Sequence, residues 1–81
     1  MSPIVIVRIG ADESTEVGFI PTLQLEEHDL PRTTIIPFHF KRKSAKETYE
    51  EAIAVAEREA MLIINRLYPK GTKYQVEREE R

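Results

Sequence analysis

The chain has 81 residues, 41% hydrophobic and 32% charged, with 12 basic and 14 acidic side chains and a formal net charge of −2, which fits one small folded domain rather than a disordered segment. It contains no cysteine, which excludes a disulfide framework and a thiolate metal centre. No apolar run approaches the ~18 residues of a membrane-spanning helix, and Met1-Ser2-Pro3 lacks the basic and apolar stretches of a secretion signal, so a cytoplasmic setting is expected.

The first element in chain order is Ile4-Val5-Ile6-Val7-Arg8-Ile9, β-branched and apolar at both parities, which predicts a central strand. Gly10 to Ser14 reads as a turn. Glu16 to Leu25 is a second strand with Val17, Phe19, Leu23 and Leu25 on one parity. Gly18 and Pro21 predict a bulge or bend near Ile20–Thr22. Glu26 to Arg32 reads as a loop. Thr33 to Lys43 is a third strand, placed at a sheet edge by Pro37.

A helix follows from Ala45 to Leu67. Ser44 and Glu47 have the spacing of a capping box. Tyr49, Ala52, Ile53, Ala56, Ala60, Ile63, Ile64 and Leu67 recur at three and four residues and form one apolar stripe. Its alanines let the helix lie close to its support. Pro69 and Gly71 end the run. Ala54, Val55, Met61 and Leu62 add a second apolar strip, either partner surface or the wider core of a buried helix. Lys73 to Glu77 is a short fourth strand. The expected domain spans 1–77, and 78–81 form a frayed charged tail.

The predicted order is therefore β-β-β-α-β, a single α+β domain. A right-handed crossover makes the last strand parallel to the first and gives a four-stranded mixed sheet of order 3-2-1-4, with one long helix on one face. Nothing else in the order covers the opposite face. One helix on such a sheet is also a small core. Both points predict a homo-oligomer, a twofold dimer first, with Val5, Val7, Ile9, Val55, Met61 and Leu62 as candidate interface residues.

The order is that of the truncated ribonuclease-H-like fold of the HicB family of antitoxins, and two segments resemble that family. Gly18-Phe19-Ile20-Pro21-Thr22-Leu23 resembles the end of its second strand, where Val-Pro-Asp-Leu-Pro-Gly is common. Thr48-Tyr49-Glu50-Glu51-Ala52 resembles its Thr-x-Glu-Glu-Ala helix start, continued here by Ile53-Ala54-Val55-Ala56. The Pro-Gly-Cys ending is absent and the third strand is more basic, and no second, DNA-binding domain is expected after the last strand. The resemblance implies an oligomeric, non-catalytic module that binds a small, basic protein partner. It does not imply nuclease activity or autonomous operator binding.

Charge is segregated. Residues 11–29 carry six acids and no base, residues 31–46 five bases and no acid, and residues 47–60 five acids and one base. Such blocks can pair within one fold or between two copies. The basic block, with Arg32, His39, Lys41, Arg42, Lys43 and Lys46, is the candidate contact surface. On an extended third strand His39, Lys41 and Lys43 project together. They could contact nucleic-acid phosphates, guard the sheet edge against aggregation, or dock the acidic helix of another copy. Glu26-Glu27-His28-Asp29 offers metal-ligand types, but adjacent residues seldom converge, and a solvated acidic loop is the expected reading. No serine–histidine grouping, phosphate-binding glycine loop or zinc-protease motif is present. No cofactor, metal or catalytic residue is expected, and a membrane is not an expected partner.

Overall fold

The computed structural model describes residues 4–29 and 31–79. The elements are β1 (Ile4–Ser14), β2 (Gly18–Asp29), β3 (Arg32–His39), a short 3₁₀ turn (Arg42–Ser44), α1 (Tyr49–Leu67) and β4 (Tyr74–Arg78). The strands form one mixed sheet of order β3-β2-β1-β4, with β4 parallel to β1 and the other pairs antiparallel. This is the α+β architecture that the order of elements predicts.

The helix lies over β1 and β2. Val5, Val7, Ile9, Leu23 and Leu25 point to it from the sheet, and Ala52, Ile53, Ala56, Ala60 and Ile64 answer from the helix. Ala56 and Ala60 sit where larger side chains would hold the helix away from the strands. Leu67, expected to end the apolar stripe, is 54% exposed, and Ile64 is the last residue of the helix in the core.

The expected turn at Gly10–Ser14 is instead strand. β1 runs on to Ser14, and the reversal falls at residues 15–17, with Gly18 at φ +99. Pairing from Ile4↔His28 to Ser14↔Gly18 is unbroken, so the expected bulge near Ile20–Thr22 is absent. Pro21 fits for a definable reason. Phe19 exchanges both backbone hydrogen bonds with Lys46, at 2.8 Å each, so the alternate residues of β2 that include Phe19 and Pro21 turn their backbone groups away from β1. β3 pairing begins only at Thr22↔His39, so the missing Pro21 N–H costs the ladder nothing.

That Phe19–Lys46 bridge also moves the helix start. It holds Lys46 extended, and Thr48 rather than Ser44 is the N-cap. The Thr48 Oγ1 accepts from the Glu51 N–H at 3.2 Å and donates to the Glu51 carboxylate at 3.0 Å. At the far end of the chain, Arg78, expected in the frayed tail, closes β4, and the Glu79 N–H donates to the Ile9 carbonyl at 2.8 Å. Glu80 and Arg81 lie outside the described residues.

Candidate interaction surfaces

The second face of the sheet is open, and its chemistry follows from strand alternation. Ile6, Arg8, Gln24, Glu26, Ile35, Pro37, Gln75 and Glu77 lie on adjacent register positions of that face. Val5, Val7 and Ile9 are on the other parity, fully or almost fully buried beneath α1. As candidate interface residues they are corrected: the helix takes the parity of β1 that holds Val5, Val7 and Ile9, and the parity left open contains Arg8.

Arg8 organises this face. Its guanidinium donates to Glu26 through Nε and to Glu77 through Nη1. His28 approaches the other Glu26 oxygen at 3.2 Å, and Thr33 Oγ1 approaches His28 at 3.4 Å. The Arg8 hydrogen bond holds the Glu26 carboxyl below its ordinary range, against the opposing effect of desolvation, and that same bond raises the Arg8 pKa. A shallow groove bounded by Arg8, Asp12, Thr22, Gln24, His39 and Glu77 crosses the face. Ile4 (59% exposed) and Ile35 (56% exposed) lie on the same face outside the groove. The signal present in the sequence was the single arginine within the apolar Ile4–Ile9 segment, which marks the parity that faces solvent.

The acidic segment 26–29 is strand, not loop. Alternation puts Glu26 and His28 on the open face and Glu27 under the helix end, where it accepts from the Tyr68 hydroxyl. Burial, then the bond to Glu27, raises the Tyr68 pKa above the usual phenol value. The four residues do not converge, and no group of three or more metal-ligating side chains occurs among the described residues.

The basic block is divided. β3 ends at His39, not Lys43, and the chain turns into the 3₁₀ segment. His39, Lys41 and Lys43 therefore do not share one strand face. Lys41, Arg42 and Lys43 are exposed together on the turn, with Arg42 ion-paired to Glu16. Arg32 stands at the other end of β3, about 23 Å from His39 at strand rise. Lys46 is committed through its backbone to Phe19. The second helical strip also divides. Val55 is half-buried on a cleft that it shares with Phe38, Phe40 and Ile63, and the half-buried Met61 receives the Tyr74 hydroxyl on its sulfur at 3.7 Å. Leu62 stays 53% exposed.

No helix among the described residues is long and apolar enough to cross a membrane. The chain matches no family model, no curated protein and no solved structure at a significant level.

Proposed function

We propose that the chain is a non-enzymatic, homo-oligomeric interaction module, HicB-like in arrangement and cytoplasmic in setting, that receives a small basic protein on the open face of its sheet. The observation that carries this reading is the composition of that face. Asp12, Glu26 and Glu77 stand on it against Arg8, with Ile4 and Ile35 exposed beside them. An acidic centre with apolar flanks gives a basic partner both charge complementarity and anchoring area. The test is capture of small basic proteins on the immobilised chain, followed by calorimetric titration with the protein recovered. A complex that Ile35→Asp abolishes is expected. No binding at micromolar concentration overturns the reading.

A second reading is nucleic-acid binding, favoured by the joint exposure of Lys41, Arg42 and Lys43 on the 3₁₀ turn. A mobility-shift titration at low salt tests it, since phosphate contacts are strongest there. Binding lost on changing these three residues to Glu supports it, and no shift by the unmodified chain removes it.

A further inference from the structure

The two edges of the sheet differ in what they offer a further strand. At the β4 edge the Val5 N–H donates to the Lys73 carbonyl and the Glu79 N–H donates to the Ile9 carbonyl. With the register Val5↔Tyr74, Val7↔Val76 and Ile9↔Arg78, these bonds mean that Lys73, Gln75, Glu77 and Glu79 turn their backbone groups toward β1. Tyr74, Val76 and Arg78 turn theirs outward, and among the described residues no strand pairs with them. At the β3 edge the same argument, taken from the Phe19–Lys46 bridge across β2, points Thr34, Ile36 and Phe38 inward and Thr33, Ile35, Pro37 and His39 outward. Pro37 has no N–H, so that edge lacks a donor at its centre. β4 keeps all of its outward donors.

The sequence of β4 is also self-complementary about Val76. In an antiparallel pair centred there, Lys73 faces Glu79, Tyr74 faces Arg78 and Gln75 faces Glu77 of the other strand. These are an ion pair, a cation–aromatic pair and an amide–carboxylate pair. The same register sets every outward residue opposite an outward residue, for about six backbone hydrogen bonds, and any shifted register loses some of them. Tyr74 and Val76 stay 41% and 37% exposed on the helix side, although Tyr74 touches Met61 and Arg78 pairs with Glu57 of α1, and they would cover each other.

We propose that β4 is a self-association edge: it pairs antiparallel, centred on Val76, with β4 of a second copy, and so joins two sheets into one. The twofold axis is then perpendicular to the sheet, so both helices lie on one side and both open faces are continuous on the other. The proposal deepens the interaction-module reading, and rests on it, by naming the second copy's strand and doubling the acidic face.

Sedimentation velocity over a concentration series tests it. The unmodified chain is expected to dimerise. Val76→Pro removes an outward donor without touching the β1 ladder, and is expected to be a folded monomer by circular dichroism. Lys73→Glu is expected to weaken association roughly tenfold, and Lys73→Glu with Glu79→Lys to restore it. The charge variants decide by themselves where Val76→Pro loses its folded spectrum. A dimer that survives Val76→Pro, or that is indifferent to the charge reversal, overturns the β4 interface but leaves the homo-oligomeric reading standing. A chain that is monomeric at every concentration overturns both.

Discussion

Arg8 on β1 reaches diagonally across the sheet to Glu26 on β2, whose register partner is Ile6 rather than Arg8. The contact fastens the two central strands on the face that no helix covers. Arg8 is about half exposed, so solvent screens the pair, yet the Glu26 carboxyl is still held below the ordinary carboxylate range.

The pH dependence follows from that direction. A carboxyl whose pKa is lower in the folded chain contributes stability above its unfolded value, and the contribution is lost as pH falls through the folded value. Thermal melts between neutral pH and pH ~3 are expected to show Glu26→Gln less stable than the unmodified chain near neutrality. The gap should close below the unfolded carboxyl value of 4.5. A gap constant across the range would count against the pair.

Tyr68 carries the opposite sign. A phenol whose pKa is raised on folding contributes stability below its unfolded value of 10.0 and loses it as pH rises through the folded value. Ultraviolet difference titration should show a tyrosine ionising well above pH 10, and Tyr68→Phe should remove that late portion.

Two Ser/Thr-x-x-Glu pairs are written in the chain, and only Thr48–Glu51 caps the helix. Thr48→Ala is expected to destabilise by about 1 kcal/mol in urea unfolding, and Ser44→Ala by under ~0.5 kcal/mol. A larger loss from Ser44→Ala than from Thr48→Ala would place the helix start at Ser44.

Gly18 and Gly71 both have positive φ, at +99 and +92, but their surroundings differ. A Cβ at Gly18 would strike the Lys46 carbonyl, and one at Gly71 meets nothing within 4 Å. Gly71→Ala is expected to cost only the backbone term, roughly 1 kcal/mol. Gly18→Ala should cost clearly more and loosen the Phe19–Lys46 bridge, read as faster exchange of the Phe19 and Lys46 amides.

The alanine-rich helical stripe, the apolar first strand and the edge position of Pro37 were legible because each depends on local periodicity or on one residue's own chemistry. The helix start was not, because Ser44–Glu47 and Thr48–Glu51 satisfy the same rule and a contact with Phe19 chooses between them. The Gly10 turn failed similarly. Glycine permits a turn without requiring one, and Gly10 here lies extended opposite Thr22, with the Glu79 side chain over it. For the candidate surface, the basic cluster was visible as composition, but its division between the two ends of β3 was not. The Arg8–Glu26–Glu77 layer joins residues far apart in the chain, which no local pattern brings together.

By itself the sequence determined the kind and order of the elements, since hydrophobic period and β-branching act over a few residues. Tertiary structure alone decided which parity of β1 is core, where the helix begins and which strand edge keeps its donors. These depend on backbone groups and charges that meet only when β1, β2 and β4 lie side by side.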